Sequence, residues 1–433
     1  MLFVHLAAMS YNRPYSGLDR KGLFVISGLK TRLSAMMFLE YFVPGCTVPI
    51  LSHYLRNYLH FEAYQVGQVM GVTALAAFFA PFVASHVADR YMRSERMLGL
   101  CHGLSAVAMV VLARQGSFWP FLGLYFVYGL AFTPTFGLTN AVALHNVADA
   151  RRDFGGLRMW GTAGWVVVGW LSFVWLRGGG DVRRMLYVSA ATSLVLAAYS
   201  VVALPRSEMP ARSERATVMY WKALKVLVQP GLLLLCVLTF ASGMTHQVYY
   251  LGMSPYLSQL GFRNEYIMPI MSVGQVSEVV VLGLLGICLM RITVKQAMVL
   301  GLAAQAVRYG LFAFGQTAAP ILAGISLHGI CYAFYFTAAY IYVDQHSTAE
   351  TRAGAQQLFT IIISGFGTAG AYVAGGYFQQ LLTSPETGLV NYKVFWCVPA
   401  GVSLCIAAIM LVFFRETAPA IERTAEAAEA IGN

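Results

Sequence analysis

The chain has 433 residues, 58% of them hydrophobic and only 11% charged. Soluble domains carry about 25% charged residues, so this composition excludes a soluble enzyme, a nucleic-acid binder and a disordered scaffold. The net charge of +10 arises from 29 Lys and Arg against 19 Asp and Glu. These positive charges gather at the ends of apolar blocks, the pattern that orients a chain in a membrane.

The apolar blocks are each long enough to cross about 30 Å of hydrocarbon. They predict twelve spans at 33–55, 67–88, 97–114, 119–146, 157–176, 185–204, 231–256, 267–290, 296–315, 320–345, 356–382 and 394–414. Helices are expected, because hydrocarbon offers backbone groups no water and barrel strands would alternate over about 10 residues. Ahead of the first span, MLFVHLAAM is short and is followed by Arg13, Pro14, Arg20 and Lys21. No cleaved signal peptide is expected there, and the first helix is expected to act as an uncleaved one. The longest polar stretch, 205–230, separates six spans from six, and its second half predicts a short amphipathic helix on the membrane surface.

The chain thus divides into an N-terminal segment (1–32), a six-helix half (33–204), a linker (205–230), a second six-helix half (231–414) and a tail (415–433) expected to be helical. If both termini and the linker face the cytoplasm, 20 Lys and Arg lie on that side and 7 on the other, with Arg158 and Arg308 inside spans. This bias predicts a plasma (inner) membrane protein with both termini inside.

The halves resemble each other. GTAG occurs at Gly161–Gly164 in span five and at Gly367–Gly370 in span eleven, and Arg152 and Arg352 share the loop ahead of each. Two six-span halves of like orientation describe an all-α integral membrane protein of the major facilitator fold, with its substrate site near the midplane between the halves. Seven cysteines lie in or beside apolar blocks without a CxxC pair and read as buried free thiols.

A charge inside a span costs about 2.5–3.5 kcal/mol on insertion scales, so each such residue calls for a reason. Glu278 lies at the centre of span eight, Arg308 in span nine, Arg158 at the start of span five, Glu40 in span one and Asp344 near the end of span ten. His86, His102, His246 and His328 also fall in spans. Arg158, Thr162 and Trp165 share a helix face at i, i+4, i+7; so do His328, Tyr332 and Tyr335, while Gln275 with Glu278 and Gln247 with Tyr250 are i, i+3 pairs. Four spans therefore present polar and aromatic faces that must point into the bundle or a wet cavity. Such a lining suits a ligand with many hydroxyls and one flat ring. For Arg308, with only Gln305 beside it, a structural ion pair is the favoured reading; for His86 and His102, interhelical packing is.

Between spans two and three, Asp89, Arg90 and Arg93 resemble the major facilitator loop signature, an acid followed by basic residues that gates one side. Ser85 stands where that signature has glycine. Gly365-Phe-Gly-Thr-Ala-Gly370 fits GxGxxG but lies inside an apolar span, where small residues serve helix packing. No HExxH, GxSxG or Walker loop occurs, so neither an enzyme, a metal nor a cofactor is expected.

TPTFGLTN (133–140), LRMWGTAGW (157–165), GQVSE (274–278), VRYGLFAFG (307–315) and RAGAQQLF (352–359) together resemble the nucleoside–proton symporter family of the major facilitator superfamily. The resemblance covers most of the chain. It implies substrate contacts at Arg158, Thr162, Trp165, Gln247, Gln275 and Glu278. It extends to Tyr250, His328 and Tyr332, where the family usually carries Asn, Tyr and Phe; Glu40 replaces a usual Gln and Pro44 a usual Trp. The ribose-facing set is retained and the ring-facing set has changed, which leaves the base open.

These readings converge on a monomeric symporter that imports nucleosides with protons by alternating access. Coupling needs a carboxyl whose proton affinity is raised by burial; Glu278 is the first choice, with Glu40 and His328 behind it. A symporter of sugars or other polyols, or a non-transporting membrane sensor on the same scaffold, are the alternatives.

Overall fold

A helix satisfies its own backbone hydrogen bonds, which is what a long apolar segment in hydrocarbon requires. The computed structural model describes residues 20–147, 150–206, 216–348 and 350–416, with side chains from residue 28 onward except 79–91, 150–152, 216–220 and 353. Among the described residues the regular secondary structure is all helical, apart from one isolated bridge between Thr383 and Val390. The expectations for the extreme N-terminus and the tail helix lie outside the described residues. So do the side chains of Asp89, Arg90, His86 and Arg152.

The first half comprises α1 (Arg20–Thr47), α2 (Ala63–Tyr91), α3 (Ser94–Leu112), α4 (Phe118–His145), α5 (Ala150–Leu176) and α6 (Arg184–Val202). After the linker helix Ala216–Leu227 come α7 (Pro230–Gln259), α8 (Asn264–Leu289), α9 (Val294–Phe314), α10 (Ala318–Gln345), α11 (352–381) and α12 (Tyr392–Phe413). Eleven of these are long and apolar enough to cross a membrane, and α2, 29 residues long, is the twelfth. Helix α1 starts well before residue 33, and past a turn at 48–50 the chain continues through a short helix (Leu51–His53) into a π-helical turn at Tyr54–Tyr58. Hydropathy marks the hydrocarbon slab, whereas the helix continues beyond it. There Lys30 Nζ meets Asp153 of α5 at 2.8 Å, and Arg32 donates to the Ala203 carbonyl at 3.4 Å.

The GTAG repeat occupies the same topological place twice. Gly164 packs α5 onto α1, where an added Cβ would sit 2.2 Å from the Phe38 carbonyl oxygen. Gly370 packs α11 onto α7, where a Cβ would meet Met244 at 3.3 Å. The halves meet chiefly along α2–α11 and α5–α8. The linker helix starts earlier than expected. It buries Ala223 and Leu227 against the second half, pairs Lys222 with Glu350 at 2.5 Å, and leaves Trp221 outward. The cysteines are free, but Cys288 and Cys397 are half-buried and Cys405 is exposed on α12, so burial of all seven does not hold.

The polar bonds between the halves cluster at the end opposite the termini. Ser52 donates to the Leu251 carbonyl, His53 Nε2 lies 2.9 Å from Asn264 Oδ1, and Gln380 donates to Glu62 at 2.9 Å. Helices α2 and α11 touch there backbone to backbone: a Cβ on Gly67 would fall 2.2 Å from the Tyr372 carbonyl oxygen. The molecule is therefore closed at this far end.

Glu40 lies in the core of the first half and has no exposed surface. Its carboxylate accepts from Thr135 Oγ1 at 2.6 Å and Thr139 Oγ1 at 3.0 Å, and it faces His102 Nε2 at 2.9 Å. Ser193 lies 2.9 Å from His102 Nδ1. Four helices are tied through one acid. Removing one partner of a buried pair leaves the other uncompensated, at a cost of about 3–5 kcal/mol. Glu40→Ala is therefore expected to lower the thermal denaturation midpoint of the detergent-purified protein sharply, and Glu40→Gln to lower it less. A Glu40→Ala protein as stable as wild type would remove this role.

Candidate substrate and proton site

Two cavities lie between the halves, and one within the second half adjoins both. The largest, about 790 Å³, runs between α5 and α8 toward the end that carries the termini, past Phe154, Arg158, Thr162, Glu278, Leu284 and Tyr332. A second, of about 230 Å³, is lined by His246, Gln247, Tyr250, Tyr332 and Phe336. A third, of about 310 Å³, touches Trp165, Gln247 and Tyr372. Tyr332 joins the first two and Gln247 the last two. Seven of the nine expected substrate residues line these spaces: Arg158, Thr162, Trp165, Gln247, Tyr250, Glu278 and Tyr332. Gln275, 9% exposed, stands behind them and donates to the Tyr250 hydroxyl at 3.3 Å.

Helix periodicity places these side chains. Arg158, Thr162 and Trp165 fall along the inner face of α5, and α8 runs antiparallel to it, so Glu278 comes to the opposite wall of the same cavity. The Arg158 guanidinium stacks over the Tyr41 ring at 3.9 Å, which orients it while leaving its donors toward the cavity. Tyr332 sits in a π-helical turn, Cys331–Thr337, of a kind that often marks functional sites and here widens α10 at mid-depth. Gln247 accepts from the Tyr372 hydroxyl at 3.1 Å, which ties α7 to α11 beside the cavity.

Three expectations change. His328 is only 2% exposed and lines none of these cavities; its Nε2 lies 3.3 Å from Glu278 Oε2, so it meets the acid rather than a substrate. Arg308 forms no ion pair with a carboxylate among the described residues. Its Nη1 donates to His328 Nδ1 at 3.1 Å and its guanidinium lies 4.2 Å over the Tyr249 ring, because the residues facing it are aromatic. Glu40, held inside the first half, borders none of the cavities, and its saturated hydrogen bonds suit a brace rather than an acid that trades protons with the site. Arg93 is half-buried at the start of α3, where its extended backbone precedes the first turn. No group of three or more His, Cys, Asp or Glu among the described residues is placed to hold a metal.

The lining combines hydroxyl-binding groups on α5 and α8 with rings on α7 and α10, next to one acid with 20% of its side chain exposed. The family model described as "Nucleoside H+ symporter" matches residues 27–419. The chain belongs to that family.

Among its relatives, YegT of Escherichia coli (strain K12) is 31% identical over 402 residues, covering 89% of this chain and 94% of that protein. The xanthosine permease of the same organism is 28% identical over 411 residues, covering 89% and 95%. The crystal structure of the nucleoside transporter NupG superimposes with a TM-score of 0.81 at 22% identity, over 90% of this chain and all of that one. The fold is thus the major facilitator fold with twelve membrane-spanning helices in two halves, and this member of the symporter family is a secondary transporter, not an enzyme.

Sequence spacing missed Tyr41, His246 and Tyr372. Tyr41 and Tyr372 reach the site from α1 and α11, and periodicity within one helix does not reveal a partner on another. His246 carries a signal, since it precedes Gln247 directly. Its ring stacks on His328 with centroids 5.0 Å apart, and its Nδ1 is buried without a hydrogen-bond partner.

Proposed function

We propose that this symporter imports a nucleoside together with a proton, holding the ribose between Arg158, Thr162, Gln247 and Glu278 and the base among Tyr250, Tyr332 and Trp165. Glu278 carries the proton. The observation that supports this most is the placement of Glu278: one face borders the cavity opposite Arg158 and the other meets a buried imidazole. An acid in that position responds both to substrate and to protonation. Family membership favours a nucleoside over the polyol and sensor alternatives.

Alternating access follows from the two halves. The far end is closed by α2–α11 and by the Asn264 and Gln380 contacts, while the largest cavity extends toward the termini. Rocking of the halves about the central site would exchange these ends. The Lys and Arg bias supports an inner-membrane protein with both termini in the cytoplasm, so the form described is inward-facing. We further propose that Asp89, Arg90 and Arg93 close the cytoplasmic side in the alternate state. The protein acts as a monomer in the lipid bilayer, each chain having its own complete cavity.

The decisive experiment uses proteoliposomes with an alkaline interior. Labelled uridine, adenosine and xanthosine should accumulate above the external concentration, and a protonophore should collapse the gradient to equality. Accumulation of none of them, or accumulation indifferent to the protonophore, would overturn the reading.

A further inference from the structure

Arg308 has no exposed surface. A lone cation at such depth is costly, and its Nε and Nη2 have no hydrogen-bond partner. Aromatic faces cover it: Tyr249 at 4.2 Å, Tyr309 and Phe312 at 5.6 Å. Its Nη1 donates to His328 Nδ1, at 3.1 Å.

That bond fixes a proton. A guanidinium only donates, so Nδ1 must be the bare nitrogen of the ring. The imidazole is therefore neutral, with its hydrogen on Nε2. Nε2 in turn faces Glu278 Oε2 at 3.3 Å. Cation, oriented neutral ring and acid stand in a row, and the ring dipole points its positive end at the carboxylate. Low local dielectric strengthens such an arrangement.

We infer that Arg308 is a positioning residue that, through the neutral imidazole of His328, favours the ionised form of Glu278 and so tunes the proton affinity of the acid. The inference rests on the reading of Glu278 as the coupling acid. Besides His328, the groups that face Glu278 are Arg158 on α5, Tyr250 on α7 and Tyr332 on α10. Arg158 favours the ionised form as well, but it borders the cavity, where a substrate engages it. Arg308 is sealed away from the cavity. Its influence thus does not depend on direct substrate contact, whereas that of Arg158 changes with occupancy.

The test is pH-difference infrared spectroscopy on the full chain in lipid. The protonated-carboxyl band that disappears in Glu278→Gln belongs to Glu278, and its pH midpoint is measured. Arg308→Gln should raise that midpoint by about one pH unit or more, a tenfold gain in proton affinity. His328→Gln, which keeps the cation but removes the ring, should raise it as well, and the double variant should add little to either. Arg308→Lys, which keeps a donor and a charge, should restore most of the wild-type midpoint. An unmoved midpoint in folded Arg308→Gln, or shifts that add fully in the double variant, would overturn the inference. Should Arg308→Gln fail to fold, His328→Gln and Arg308→Lys decide by the same midpoint. The band reports the acid whether or not it drives transport, so loss of this effect is told apart from failure of the coupling role.

Discussion

Glu278→Gln is expected to abolish proton-driven accumulation of nucleoside while leaving nucleoside exchange in place. The amide keeps an oxygen toward His328 Nε2, now 3.3 Å from the carboxylate, and keeps polar atoms on the cavity wall. It removes the ability to change charge. Hydrogen bonds to a charged group contribute about 1.5–3 kcal/mol against about 1 for a neutral one, so exchange should fall by no more than about 30-fold. The accumulation ratio, by contrast, should drop to one. The sign of the pH effect follows from loading: substrate enters with the protonated acid, so wild-type uptake should decline as external pH rises, and the variant should lose that dependence. Uphill uptake that survives in Glu278→Gln would assign coupling to another group. His328 would be the first to examine, since its Nε2 already faces the same carboxylate.

Why Glu278 was visible in the sequence, and Tyr41 was not, is a matter of what the bilayer penalises. The spans follow from block length because hydrocarbon leaves backbone groups one economical solution. Arg158, Glu278 and Arg308 stand out for a related reason, since a charge in a span needs a partner or a cavity. Spacing then brings Thr162 and Trp165 onto the face of Arg158. Beyond one helix this logic weakens. Nothing in VRYGLFAFG says that Arg308 meets a ring nitrogen instead of a carboxylate, because that depends on the crossing of α9 and α10. Glu40 carries the same cost in sequence as Glu278. Only the packing of α1, α3, α4 and α6 distinguishes a sealed, fully bonded acid from one on a cavity wall. Helix ends were legible only approximately, as Lys30 and Arg32 illustrate: a polar extension of α1 bonds to α5 and the end of α6 outside the slab.

The far-end closure yields the other large expected effect. Gly67 on α2 and Gly376 on α11 let the two backbones touch: an added Cβ on Gly376 would sit 2.8 Å from both the Ala63 carbonyl oxygen and Gly67 Cα. Backbone atoms cannot swing aside as a long side chain does, and the two helices belong to different halves. The cheapest relief for Gly67→Val or Gly376→Val is separation of the halves at that end, which is the motion that opens the opposite state. Overpacking costs about 1–3 kcal/mol, which corresponds to a shift in the populations of the two states of roughly 5–150-fold. Transport should fall at least about fivefold, since a carrier held in one state does not cycle. Nitroxide labels at Arg114 and Glu386, both exposed at that end, should report a longer distance in the variants than in wild type. Gly103→Val on α3 is the control, because a Cβ there meets nothing within 4 Å, and it should leave the distance unchanged. An unaltered distance with full transport in Gly67→Val would mean that the α2–α11 crossing is not what closes the far end. The contacts of Asn264 with His53 and Tyr58, and the bond from Ser52 to the Leu251 carbonyl, would then have to hold it.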